Sequence, residues 1–287
     1  MNKKGLTLTM IFEASSLNYG ESDGNFSSLK KKIKADGELH TYVSSQALKY
    51  SIKQQMGCDN TPVDGSSGVV QYAPETTIDK YPEIDLFGYL KTEKGSSGLK
   101  RSAKVRVSTA ESLTPYEGET DFLNNSGLAV RCGEYNALSN SEIHNSMYAY
   151  TVTIDLDEIG IDEGIEIPTE KKIKRIHDLL NTLRLLHRDI KGRTENLNPI
   201  FAVGGIYDSK NPFFLGSTKV YRGNLDCDLI TATLNNYDDI KKDTHIAALA
   251  KRFENEKAVS EICTCSLNEL FSNLKEGVKE YYEGNKD

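Results

Sequence analysis

The sequence predicts an α+β protein: a ferredoxin-like, or RRM-like, core of the split βαβ kind carrying large inserted segments. Three observations point there. The strongest periodic elements run strand, helix, strands, helix, strand. The first strand and the later strand, Gly5 to Glu13 and Ser146 to Leu156, are rich in Thr, Tyr, Ile and Val, and an amphipathic helix follows the second. The stretches between these elements are polar and punctuated by Gly, Ser, Asn and Pro, as insertions are.

Gly5 to Glu13 alternates and reads as the first strand. Ala14 to Gly37 is polar and Gly/Ser/Asn-rich and reads as one long loop. From Thr41 the chain turns helical, with Ser44 or Ser45 as N-cap and Ala47, Leu48 and Ile52 on one apolar face. Residues 57–80 read as an irregular insertion. Gly88 to Lys91, a Gly/Ser break at 95–98, and Lys104 to Ser108 read as strand, turn, strand. Residues 111–146 read as an extended excursion. Thr169 is placed as the cap of a helix whose apolar stripe is Ile173, Ile176, Leu179, Leu180, Leu183 and Leu186, with His177 and His187 on the same helix. Pro199 to Tyr207 is a buried strand, and helical patterns recur near 237–255 and 266–282.

The chain of 287 residues is 38% hydrophobic and 27% charged, which is a soluble globular composition. No apolar run approaches the roughly 20 residues a bilayer span needs, and the N-terminus lacks the features of a secretory signal. Five scattered cysteines argue against a disulfide framework and for a reducing cytoplasm. The net charge is −7, but it is unevenly placed. Residues 91–110 carry six Lys/Arg against one acid, and residues 171–193 carry eight against two. Residues 111–170 carry thirteen acids against one Arg. Such basic blocks suit a phosphate backbone and the acidic blocks suit protein neighbours, while charge alone favours the plain reading of solvated faces of helices and strands.

Enzyme motifs are absent: there is no HExxH, GxSxG or GxxxxGK[ST], and Gly204-Gly205 lacks the rest of a dinucleotide fingerprint. Glu21 and Asp23 in the first loop are a weak metal signal. Asp155 and Asp157 end a strand, where capping or solvation explains them. No catalytic residue, metal or cofactor is expected.

Val43-Ser44-Ser45-Gln46-Ala47-Leu48-Lys49 resembles the first-helix motif of the backbone subunits of CRISPR Cascade complexes, the Cas seven family. Four further segments are similar in the right order: LKRSAKVRVSTAESL (99–113), GETDFLNNSGL (118–128), SEIHNSMYAYTVTIDLDEIG (141–160) and IKGRTENLNPIFAVGGIYDSKNPFF (190–214). They resemble the type I-B, or DevR-like autoregulator, branch. The resemblance implies one RRM-like domain over 1–287, with a finger insertion at 54–98, a thumb hairpin at 110–145 and a C-terminal extension at 215–287. It implies copies assembled head-to-tail along a crRNA, whose bases pair with target DNA. The other partners it implies are the large, small, crRNA-processing and 5′-end-capping Cascade subunits, with no membrane and no nuclease activity of its own.

By the motif, Ser44, Ser45, Gln46 and Lys49 are the leading RNA contacts. Lys100, Arg101 and Lys104 add phosphate contacts beside the Gly/Ser break, and Arg193 matches a basic position of the family. Phe122 and Leu123 match thumb residues that wedge beside a displaced base, with packing inside the thumb as the plain alternative. A guide-independent holder must contact phosphate and sugar, and free N–H groups at a helix N-terminus favour anions. The competing functional reading is a metal-dependent endoribonuclease of the related type III kind, with Asp23 as its nearest candidate. A transcriptional regulator would need a helix-turn-helix with a basic recognition helix, and none is visible.

Overall fold

In the computed structural model, which describes residues 4–66, 68–92, 98–136 and 138–284, β1 (Gly5–Ala14) is the axis of the main sheet. Leu6, Leu8, Met10 and Phe12 point to one face and Thr7, Thr9 and Ile11 to the other, and all seven are buried. The Gly/Ser break, up to residue 97, and Lys94 of the basic block lie outside the described residues. The same holds for the side chain of Glu21.

The polar stretch read as one loop folds into three short strands, β2 (Tyr19–Asp23), β3 (Phe26–Leu29) and β4 (Lys31–Ile33). Gly24, at φ +56°, makes the turn between the first two. β2 pairs with β3 next to it, and β3 pairs in addition with a strand more than a hundred residues on, whose support local pattern does not reveal. β5 (Leu39–Val43) pairs with β4 and leads into α1 (Ser45–Gln55).

Among its described residues, segment 54–98 holds little regular structure. It contains the small hairpin of β6 (Val63–Asp64) and β7 (Gln71–Tyr72), the short helix α2 (Pro82–Phe87) and β8 (Tyr89–Lys91), which pairs with β9 (Leu99–Arg101). β10 (Val105–Val107) and β11 (Ala110–Ser112) then run along one side of β14 (Ser146–Asp155). Between them Ser108 replaces a ladder step: its N–H donates to the Thr151 carbonyl and its Oγ accepts the Thr151 N–H, both at 2.9 Å.

The excursion at 111–146 is a hairpin with a helical tip: β12 (Glu119–Asn124), α3 (Ser126–Cys132) and β13 (Leu138–Ile143). Gly133 ends α3 in the left-handed region at φ 72°. The hairpin is rooted on the strands nobody would place there from pattern, in the sheet order β12-β13-β3-β2.

After β14 come the small hairpin β15 (Ile161–Asp162) and β16 (Ile165–Glu166) and then α4 (Thr169–Arg184). Thr169 is not the cap: Pro168 holds that position with its fixed φ, and no side chain caps the helix. His187 is not on the helix either. It opens β17 (His187–Ile190), which pairs with β18 (Arg193–Asn196) ahead of β19 (Phe201–Tyr207).

The last third comprises β20 (Val220–Tyr221), β21 (Asn224–Leu225), α5 (Cys227–Asn235), α6 (Asp238–Lys241), β22 (Thr244–Ala248), α7 (Glu256–Ile262) and α8 (Leu267–Gly284). The helical pattern near 237–255 is realised only in α6. Thr244 to Ala248 is a strand instead, paired antiparallel with β19. Of the segment 215–287, the described residues to 284 are therefore built into the body. β22 extends the main sheet, and α8 buries Leu270, Phe271, Leu274 and Val278 in the same core as Leu179 and Leu183 of α4.

The main sheet has the order β22-β19-β1-β14-β11-β5-β4, with β10 beside β14. Helices α1, α4 and α8 supply the core on one face, and residues from 213 to 263 supply a second core on the other. Gly204 and Gly205 lie within β19. A Cβ at Gly204 would stand 2.1 Å from the Thr7 carbonyl oxygen, so Gly204 serves the close approach of β19 to β1, and one at Gly205 would stand 2.1 Å from the Asp243 carbonyl oxygen on the other side. All five cysteines are free. No helix among the described residues is long and apolar enough to cross a membrane.

Candidate nucleic-acid interface

Three segments converge at the N-terminus of α1. β5 ends at Val43, and Ser44 is extended at φ −63°, ψ 148°, so its Oγ accepts the Ala47 N–H at 3.2 Å. The Ser44 N–H is held by Asn18 Oδ1 at 2.9 Å. Asn18 belongs to the connection between β1 and β2, which is pinned from the β17–β18 hairpin. Ser15 donates to Glu195 through its N–H at 3.1 Å and its Oγ at 2.9 Å. Arg188 Nε donates to the Leu17 carbonyl at 3.0 Å. Ser16 is fully buried in the left-handed region, at φ 49°, a costly conformation for a residue with a side chain.

Around this terminus not every cation is matched by an acid. Gln46 is exposed, and Lys49 is half-buried one turn on from Ser45. Lys49 has no ion pair or hydrogen bond to the described residues, and burial, aided by the nearby Lys53 charge, lowers its pKa from the ordinary 10.5. Lys53 itself is neutralised by Glu83 at 2.8 Å. On the hairpin, Lys191 and Gly192 both have positive φ, 47° and 75°, as a tight two-residue turn requires. The Lys191 ammonium sits 4.0 Å from the centre of the Tyr19 ring. Arg193 spends its Nε on Glu195 at 2.9 Å, while its buried Nη2 has no partner among the described residues.

Not every basic residue singled out in the sequence joins this surface. Lys100 is exposed on β9. Arg101 is buried, with Nη2 on Asp85 Oδ1 at 2.7 Å and on the Glu158 carbonyl at 2.9 Å. Lys104 is also buried, bound to Glu158 and to Ser102 Oγ. Lys104 lies at the Asp155 end of β14, whereas α1 begins beside the Tyr148–Ala149 end. Six strand residues separate those ends, roughly 20 Å. Arg101 and Lys104 thus serve the fold, and their guanidinium and ammonium groups are not available to a ligand at α1. Asp23 is exposed next to the Gly24 turn. Among the described residues no group of three His, Cys, Asp or Glu is arranged to hold a metal.

Phe122 and Leu123 are 59% and 66% exposed on β12, so neither is packed within its own hairpin. That hairpin is anchored by Glu142 of β13, buried, which accepts the Leu29 N–H at 2.7 Å and the Lys31 ammonium at 2.6 Å. His144 at its base joins Thr41 Oγ1 at 2.7 Å. Burial pushes the His144 pKa below 6.5, and the His40 ring adds to this. The hydrogen bond with Pro115 and the charges of Glu119 and Glu117 oppose it. Because the folded state resists this proton, the unfolded state binds more protons below pH 6.5. Stability is then lost as pH falls from that value towards the depressed one. His144→Asn is expected to flatten the decline of melting temperature between pH 7.5 and 5. His245, also pushed down by burial, keeps its share in both proteins, so equal slopes in the two would refute the assignment.

Asn18, Arg188 and Lys191 escape a reading of the sequence. Asn18 sits in a stretch that looks like plain loop, and the other two sit in a basic block with the look of a solvated helix face. The one signal that points to them is the density of cations at 171–193.

The sequence model of the CRISPR-associated negative auto-regulator DevR/Csa2 family matches residues 6–224. Solved chains share the fold, two of them as follows. A chain of a "CRISPR RNA-guided surveillance complex, pre-nicking" superposes with a TM-score of 0.62 at 12% identity, over 96% of this chain and 99% of that one. A chain of a "CRISPR RNA-guided surveillance complex" gives 0.58 at 13%, over 96% and 99%. A search of curated protein sequences gave no match.

Proposed function

The chain belongs to the CRISPR-associated negative auto-regulator DevR/Csa2 family, and from that premise we propose that it is a crRNA-binding backbone subunit of a type I-B Cascade surveillance complex. In this reading β19, β1, β14 and β10–β11, with α1 and α4, are an RRM-like palm. Residues 54–98 are its finger and 110–145 its thumb. Copies polymerise head-to-tail along the spacer of the guide, each thumb reaching a neighbour, with Phe122 and Leu123 as the wedge beside a displaced base. The bases between wedges pair with target DNA. The large, small, crRNA-processing and 5′-end-capping subunits complete the cytoplasmic complex, and this subunit itself cuts nothing.

The observation that carries the reading is Lys49, left without an acid among the described residues beside the α1 terminus. A cation left unpaired beside free helix N–H groups suits phosphate, whose position does not depend on base identity. Ser45, Gln46 and Lys49 present one such contact line, and Ser44 shapes it as the cap. The test is to purify the tagged protein from its own host and sequence the RNA that comes with it. Spacers of many sequences flanked by CRISPR repeat are expected. No RNA, or one unrelated transcript, would sink the reading. Metal-dependent cleavage of the bound RNA, lost in Asp23→Ala, would favour the endoribonuclease alternative.

A further inference from the structure

We propose that Arg188 is a second phosphate-binding residue of the guide site, set across the first turn of α1 from Lys49. This rests on the guide-RNA reading above. Arg188 is half-buried, and each of its three hydrogen bonds goes to a neutral acceptor. Nε donates to the Leu17 carbonyl at 3.0 Å, and Nη1 donates to the Ala47 carbonyl at 3.2 Å and to Ser51 Oγ at 3.0 Å. No carboxylate among the described residues pairs with it. Arg101 and Arg175 share Asp85, Arg106 has Asp155, and Arg193 has Glu195.

A guanidinium has five N–H donors. In Arg188 both donors of Nη2 have no partner among the described residues, and Nη2 is not among the buried polar atoms that lack one. The charge is thus held rigidly, partly desolvated and uncompensated, with one edge of its fork free. Burial without an anion lowers its pKa from the ordinary 12.5, the cost that a bound phosphate would relieve.

The geometry also sets Arg188 relative to Lys49. Ala47 and Ser51, which Arg188 grips, are one turn apart on one side of α1. Ser45 and Lys49 are one turn apart on the opposite side. Arg188 therefore stands on the side of α1 that faces the β17–β18 hairpin, the hairpin that also carries Lys191 and Arg193. A residue that only clamped the 15–18 connection to α1 would need the hydrogen bonds but not the free, unneutralised edge.

The test is RNA binding by the full-length chain, titrated with a spacer-length single-stranded RNA over a range of salt. Arg188→Gln keeps a donor for the clamp and removes the charge. It is expected to weaken binding about tenfold and to flatten the plot of log K against log salt by about 0.7. Arg188→Lys keeps the charge without the fork and is expected to retain the slope at reduced affinity. An unchanged slope in Arg188→Gln, with Lys49→Ala showing a reduced one, overturns the inference alone. A wild-type chain without salt-dependent RNA binding overturns the guide reading and this inference with it. A readout that needs no variant is modification by phenylglyoxal, mapped by mass spectrometry. Bound RNA is expected to protect Arg188, while Arg101 and Arg175 stay unreactive with or without it. Equal modification of Arg188 in both states overturns the proposal even if the variants fail to fold.

Discussion

Asp85→Ala is expected to destabilise the protein by about 3–5 kcal/mol, the range seen when one partner of a buried charge cluster is removed. Asp85 is completely buried. Its Oδ1 accepts from Arg101 Nη2 at 2.7 Å and from the Gly160 N–H at 2.9 Å, and its Oδ2 accepts from Arg175 Nη1 at 2.6 Å. One carboxylate thus joins α2, β9, α4 and the turn after β14. Without it two buried guanidinium groups face each other, and only Arg101 has a second acid, Asp162, at 3.6 Å. Asp85→Asn keeps the shape and one acceptor and is expected to fall between the two. Urea unfolding followed by circular dichroism gives the answer as a shift of the midpoint at constant m. A shift no larger than that of Asp208→Ala, an exposed acid paired with Lys4, would show that the cluster contributes little.

That cluster also shows why part of the molecule is legible in the sequence and part is not. Local pattern survives translation into structure. Gly5–Ala14, Ser146–Asp155, the α4 stripe and Ser44 as the α1 cap all stand where alternation, a 3.6-residue stripe or capping chemistry places them. Pairing between remote residues does not survive. Arg101 and Lys104 have the look of free cations because Asp85 and Glu158, which neutralise them, are far along the chain. β2 and β3 read as loop because the strand that orders them, β13, comes after the whole finger segment. Thr244–Ala248 reads as helix because only the exposed edge of β19 makes it a strand. The candidate site follows the same rule: the helix half, Ser44 to Lys49, is local and visible, whereas Asn18 and Arg188 join it only through tertiary hydrogen bonds.

Lys49→Glu is expected to weaken binding of a spacer-length RNA by tenfold to a hundredfold or more, with the melting temperature little changed. A hydrogen bond to a charged group is worth about 1.5–3 kcal/mol, which spans about those factors, and reversal of charge adds repulsion. Lys49 neutralises no acid among the described residues, so its loss leaves no carboxylate stranded and the fold has little to lose. Lys49→Ala separates the two effects: it removes the contact without the repulsion and is expected to flatten the salt plot by about 0.7. If the contact is to phosphate, the loss is equal for RNAs of different sequence. A loss confined to one sequence would assign Lys49 to base recognition, and an unchanged salt slope would remove it from the interface. Length is the sharper variable. On an RNA that holds one copy the penalty is taken once. On an RNA that seats several adjoining copies each subunit loses its own contact, so the ratio of wild-type to variant affinity should grow with length. A ratio independent of length would mean that one copy alone holds the RNA, which a polymerising backbone subunit cannot do.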